Sequence, residues 1–243
     1  MSAAVRWAGR ARSHLERFAD AWLAGGLGVL TLLSRWPYRA RMLYNWDAVQ
    51  FALALREFDV AKHQPHPPGY LLYVGLGRLL NIPLADPNLA YVALAMLFSA
   101  ATTVTVYWLA RALYERATAA SAAALLAVSP LFWFYGSVGL TYAGEAFGAS
   151  LVAAFAYRAL RGDARSLYGG ALALGLVGGI RPSVLVLLFP LCVGCAVVGI
   201  RGARRLALAA ALMLAAVLSW FLPLVWLSGG LDVYLRASTQ LYG

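Results

Sequence analysis

The chain has 243 residues, of which 62% are hydrophobic and only 12% charged, with a mean hydropathy of +0.71. Soluble domains carry about 25% charged residues, so this composition excludes a water-soluble globule and points to an integral membrane protein. The net charge of +10 rests on 19 arginines, one lysine and ten acids. In a soluble chain that balance would suggest nucleic acid. Here the arginines punctuate apolar runs and read as topology signals, with no nucleic-acid partner.

In chain order, Arg6, Arg10, Arg12 and Arg17 precede an apolar run over residues 18–33. The following "LLSRWPYRA" offers no small-x-small cleavage site, so the run reads as an uncleaved anchor and first span. Seven apolar segments are predicted to span: residues 18–34, 89–111, 117–135, 145–160, 166–181, 183–200 and 206–227. The expected fold is an all-α, polytopic transmembrane helical bundle forming a single domain over residues 1–243. With the N-terminus inside, twelve arginines fall in inner segments, including the groups 158–165 and 201–205. Eight basic residues fall outside, six of them in one long loop, residues 35–88. Arg181, at a tight outer turn, is the exception among the short connections. An Ala-, Arg- and Gly-rich composition with one lysine suggests a GC-rich bacterial genome, so the expected location is a bacterial inner membrane.

Within that loop, the apolar run 69–80 is too short to cross a bilayer. Counting residues 70–82 as a span would also place the later arginine clusters outside, so this segment is expected to lie at the outer interface. Before it, Phe51, Leu55 and Phe58 recur at helical spacing, with Asp47, Gln50 and Glu57 on another stripe. This predicts an amphipathic helix lying on the membrane, with Asp47 in its first turn and Asn45 as N-cap. The loop therefore holds amphipathic juxtamembrane helices. In "KHQPHPPGY", Pro67 and Pro68 bias the preceding residues away from α geometry and predict a rigid extended lead into a helix beginning near Pro68. The first-turn N–H groups from Gly69 onward, with His66 and Lys62 beside them, would form an anion site. His63 and His66 lack the two or more further ligands that zinc requires.

Glu145 in "GLTYAGEAF" and Arg181 in "GGIRPS" fall on the same expected side as Asp47 and His66. Both could simply snorkel to the interface; their shared side gives them a functional reading. Cys192 and Cys195 sit in hydrocarbon surroundings and read as packing residues rather than a redox pair. Thr102, Thr103 and Thr105 are expected to bond backbone carbonyls, and Pro223 to bend the last span.

The pattern D-x(18)-HPPGY, from Asp47 to Tyr70, resembles the membrane glycosyltransferases of the GT-C superfamily, nearest to the protein O-mannosyltransferase-like branch and related polyprenyl-phosphate-sugar enzymes. "RALYERATAASAAALLAVSPLFWFYG" and "SVGLTYAGEAF" resemble that family's following spans and next outer turn. Family members run to several hundred residues, so the likeness implies an N-terminal portion or a reduced member. It also implies a donor sugar on a polyprenyl phosphate and a glycan, lipid or protein acceptor. Asp47 would be the catalytic base, and transfer would occur with inversion on the outer, periplasmic face. His66, Arg181, Lys62, Gly69 and Tyr70 would bind substrate, and Glu145 would orient the acceptor or a metal. The likeness fixes no cofactor, and a divalent metal is compatible with it. The competing classes are a transporter or flippase-like binder of lipid-linked substrates and a non-catalytic scaffold subunit. Transporters place ionisable groups near the bilayer midplane, whereas here they gather at the outer boundary.

Overall fold

The computed structural model describes the backbone of residues 3–240, and side chains for Glu16 and residues 18–239. The side chains of Arg6, Arg10, Arg12 and Arg17, expected to mark the inner face, lie outside this set. The described residues form eleven α-helices: α1 Ala3–Arg35, α2 Trp46–Ala54, α3 Leu71–Leu84, α4 Pro87–Leu113, α5 Arg116–Val128, α6 Pro130–Tyr135, α7 Tyr142–Leu160, α8 Ala164–Gly178, α9 Pro182–Gly199, α10 Ala203–Leu227 and α11 Leu231–Gln240. The fold is an all-α bundle. Three helices, α4, α9 and α10, are long and apolar enough to cross a membrane, and the chain is an integral membrane protein.

Capping and proline chemistry set the boundaries. Asp86 accepts from Leu89 N at 3.1 Å and starts α4, with Pro87 in its first turn. Asp163 likewise caps α8, accepting from Arg165 N at 3.0 Å. In α4, Thr102, Thr103 and Thr105 donate to the carbonyls of Phe98, Ser99 and Ala101, as expected. Helix α4 is the hub, packed against α1, α3, α5 and α7, while α8 packs on α7, α9 and α10. The approach of α8 to α10 depends on Gly175, where a Cβ would meet Ala216 Cβ at 2.6 Å and Met213 O at 2.8 Å. Pro223 lies inside α10, which is continuous from Ala203 to Leu227. Cys192 and Cys195 are free thiols on α9.

The expected segment 117–135 is not one helix. Ser129, in an extended conformation before Pro130, separates α5 from α6, because a pre-proline residue avoids α geometry. Helix α3 has 14 residues, roughly 21 Å of rise, short of a hydrocarbon core of about 30 Å. It starts at Leu71, later than the expected Pro68, with Tyr70 left-handed at φ 45° before it. The lead itself is not extended: Gly69 N donates to His66 O at 3.0 Å, closing a turn. The apolar stripe of α2 also differs from expectation. Phe51 faces the protein core at 1% exposure, the helix ends at Ala54, and Phe58 reaches the same core from beyond it. Arg35, assigned to the outer loop, is fully buried at the end of α1. Its Nη1 donates to Thr31 O at 3.0 Å and its Nη2 to Ala127 O at 3.1 Å, beneath the rings of Phe132 and Trp133.

Candidate functional site

Asn45, extended at φ −149°, accepts from Ala48 N at 3.0 Å and fixes the start of α2. Asp47 follows in the first turn and is half-buried. One turn on, Phe51 anchors the helix among Tyr70, Tyr73 and His66, with ring centroids 5.3, 4.9 and 5.6 Å away. Burying such a ring stabilises by about 1.5–3 kcal/mol. Two hydrogen bonds tie the far end of α2 to its neighbours: Tyr91 Oη to Phe51 O at 3.0 Å and Arg78 Nη2 to Ala54 O at 2.8 Å. Asp47 therefore stands on a short helix held firmly against α3 and α4.

The connection to α3 is built as tightly. Asp59 and Gln64 exchange backbone hydrogen bonds of 2.7 and 2.8 Å, and Val60 between them is fully buried. Tyr234 Oη donates to Pro68 O at 3.3 Å, pinning the turn to α11. Gly69, at φ +102°, is packed so closely that a Cβ would collide with Leu224 of α10. Only glycine adopts that conformation at no cost. The turn carries His66, whose ring lies 4.9 Å from Tyr70 and whose Nδ1 is buried without a hydrogen-bond partner among the described residues. Burial pushes the imidazole below its ordinary value, Asp47 pulls it back up, and His63 and Arg181 push it down again. His66 thus lies within electrostatic reach of Asp47, His63 and Arg181.

Arg181 precedes α9 and is gripped by the start of α7. Its Nε lies 2.6 Å from Glu145 Oε2, its Nη1 donates to Thr141 Oγ1 at 2.6 Å, and its guanidinium sits 4.5 Å from the Tyr142 ring centroid. The turn before Arg181 is joined to α3 by Leu72 N donating to Gly179 O at 2.9 Å. Four chain segments therefore converge: the start of α2, the His66 turn, the start of α7 and the residue before α9. Thr141 and Tyr142 escape a sequence reading that singles out only the acid of "GLTYAGEAF". Thr141 stands four residues before Glu145, the spacing that places two side chains on one helical face.

Of the expected site residues, Asp47, His66, Glu145 and Arg181 come together, with Gly69 and Tyr70 shaping the turn between them. Lys62 does not join them. It is exposed, with its ammonium 2.7 Å from Glu57 and 3.3 Å from Asp59, and these two carboxylates raise its pKa. The anion site expected from the first-turn N–H groups is also reduced, because Gly69 N and Leu72 N already donate to His66 O and Gly179 O. Gln50, on Asp47's side of α2 at i+3, is buried at 4% exposure and its Oε1 has no partner among the described residues. No group of three or more His, Cys, Asp or Glu side chains converges as a metal site among the described residues.

No curated protein and no solved structure matches the chain significantly. A family model does match, over residues 47–204, and is described as the N-terminal domain of the protein O-mannosyl-transferase TMEM260. The match begins at Asp47 and takes in His66, Glu145 and Arg181. Covering well over half of the chain, it shows that this protein belongs to the TMEM260 N-terminal domain family of protein O-mannosyl-transferases.

Proposed function

We propose that the chain carries the catalytic centre of a GT-C type glycosyltransferase that moves a sugar, mannose first among candidates, from a polyprenyl phosphate to an acceptor hydroxyl. The observation that carries the reading is the convergence of Asp47, His66, Glu145 and Arg181 from four separate segments, all inside the family match. In this scheme the Asp47 carboxylate takes the proton of a protein hydroxyl as its oxygen attacks the anomeric carbon. The bond from that carbon to the phosphate oxygen breaks, the polyprenyl phosphate leaves with the electron pair, and the anomeric configuration inverts. Base catalysis of this kind supplies about 10²–10⁴-fold.

A phosphate leaving group needs charge stabilisation more than a proton. Arg181 suits that role because its guanidinium is already oriented by Glu145, Thr141 and Tyr142. Burial favours a neutral His66, which fits a hydrogen-bond donor to the phosphate better than a second cation. Glu145, committed to Arg181, then acts as a positioning residue for that arginine rather than as the acceptor's partner. Gly69 and Tyr70 contribute by shaping the His66 turn. We assign this centre to the outer face, the periplasmic one in a bacterial inner membrane, because Glu145 and Arg181 stand at the opposite ends of α7 and α9 from the arginine groups 158–165 and 201–205.

The test is reconstitution in proteoliposomes with radiolabelled polyprenyl-phosphate-mannose and a Ser/Thr-rich acceptor peptide. Label transferred to the peptide supports the enzyme. Label that crosses the bilayer still attached to its lipid supports the transporter reading instead.

A further inference from the structure

A second site lies at the opposite ends of the helices that carry Glu145 and Arg181. A cavity of about 250 Å³ opens between α7, α8, α9 and α10, with walls that include Phe155, Gly170, Phe189, Ala196, Leu206 and Met213. Two of its walls are α9 and α10, which are long and apolar enough to cross the membrane, so the cavity lies at hydrocarbon depth. From Ala203, the first residue of α10, to Met213 on the cavity wall is ten residues, about 15 Å of helical rise. That is half of a hydrocarbon core of roughly 30 Å, the reach of one acyl chain within one leaflet.

The cavity's own lining carries no charged residue, and the basic residues stand on the turns above one end of it. That end lies beneath the turns 161–163 and 200–202, which the cluster of Ala159, Leu167, Ala196, Ile200 and Ala209 packs side by side. These turns and the adjoining helix ends present Arg161, Arg165, Arg201, Arg204 and Arg205, all exposed, while Arg158 turns to a separate hollow against α4, within electrostatic reach of Asp163. No hydrogen bond or close ion pair among the described residues holds their guanidinium groups. Asp163, the acid in this stretch, is occupied as the α8 cap and accepts from Ser166 Oγ at 2.6 Å. An apolar slot one leaflet deep beneath a cluster of exposed arginines matches one ligand chemistry, a hydrocarbon chain joined to a phosphate at the interface.

We propose that this end of the bundle binds an anionic glycerophospholipid of the leaflet that contacts the arginine-bearing turns, one acyl chain lying in the cavity and the phosphate among the arginines. The site is separate from the proposed catalytic centre and does not depend on that reading.

The experiment titrates the purified chain with dioleoyl phosphatidylglycerol or with dioleoyl phosphatidylcholine, and counts retained lipid by native mass spectrometry. The anionic lipid is expected to bind at least about tenfold more tightly, since each arginine near a lipid surface strengthens such binding several-fold. Arg161→Ala/Arg204→Ala/Arg205→Ala should abolish that preference, while Ala171→Phe, a substitution at a residue that lines the cavity and would fill it, should weaken both lipids. Wild type alone supplies a further check: raising salt from about 50 to about 500 mM should weaken phosphatidylglycerol and leave phosphatidylcholine nearly unchanged. Equal affinity of wild type for the two lipids overturns the proposal. So does an anionic preference that survives both high salt and the triple substitution.

Discussion

Replacing Gly69 by alanine isolates the device that holds the His66 turn against α10. Two costs arise together. At φ +102° an L-residue occupies a region that costs on the order of 1–3 kcal/mol. The new methyl also meets Leu224, which is fully buried, and Val60 Cγ2 at 3.3 Å, so a packed core must shift at about 1–3 kcal/mol. The sum is roughly 2–6 kcal/mol, a large fraction of the stability of any domain. Gly75, in the middle of α3, supplies the control, since nothing lies within 4 Å of a Cβ built there. Gly75→Ala should stabilise by about 0.5–1 kcal/mol through helix propensity. The assay is the half-life of folded protein in mild detergent at fixed temperature, with mannosyl transfer measured in parallel. Gly69→Ala should shorten the half-life and reduce transfer, and Leu224→Ala added to it should recover the steric part but not the backbone part. A Gly69→Ala protein as long-lived and active as Gly75→Ala would refute this account of the turn.

Arg181→Lys keeps the charge but loses the planar fork that reaches Glu145 and Thr141 together; transfer should fall by about tenfold or more, with expression and membrane insertion unchanged. His66 has a lowered pKa when folded, so the unfolded chain binds its proton first as pH drops below 6.5. Its contribution to stability should therefore be present above that pH and decline under acid, and the unfolding midpoint of His66→Gln should show a shallower decline. Midway along α1, Asp20 accepts from Tyr107 Oη at 2.7 Å, Arg116 Nε at 2.6 Å and Arg111 Nε at 3.2 Å. Asp20→Asn should cost about 1.5–3 kcal/mol, read as a lower midpoint, and an unchanged midpoint would mean that this junction does not hold α1 to α4 and α5.

The sequence disclosed helices better than faces. Hydropathy located α4 and α7 to α10 to within a few residues, whereas α1 begins at Ala3, well before the apolar run at 18 that marked it; the Asn45 cap and the three threonine back-bonds appear as read. Periodicity reported that α2 has an apolar stripe but not whether lipid or protein covers it. Tyr70, Tyr73 and Tyr91 cover it, and they come from α4 and from either side of the α3 start. The signal at Ser129–Pro130 was local and legible, yet the apolar run on either side masked it. Arg35 was misplaced because positive charge reads as exposure, whereas carbonyls and aromatic faces can hold it buried. Within the site, a shared side predicted that Asp47, His66, Glu145 and Arg181 meet. The Glu145–Arg181 pairing was not legible, because it depends on how α7 and α9 pack. Lys62 was drawn into the expected site by sequence proximity alone, and its pairing with Glu57 and Asp59 takes it out.

The central claim is that Asp47 is the base, and Asp47→Asn in the proteoliposome transfer assay tests it most directly. The asparagine keeps the shape of the side chain, and the Asn45 cap of α2 remains in place. If Asp47 served only as a first-turn acid complementing the helix dipole, its loss would cost about 0.3–1 kcal/mol of stability and leave turnover nearly intact. As the general base, its loss should cut turnover by about 10²-fold or more while donor binding and folding persist. A variant that folds, binds donor and retains more than about a tenth of wild-type transfer, a barrier change under roughly 1.4 kcal/mol, would contradict the assignment.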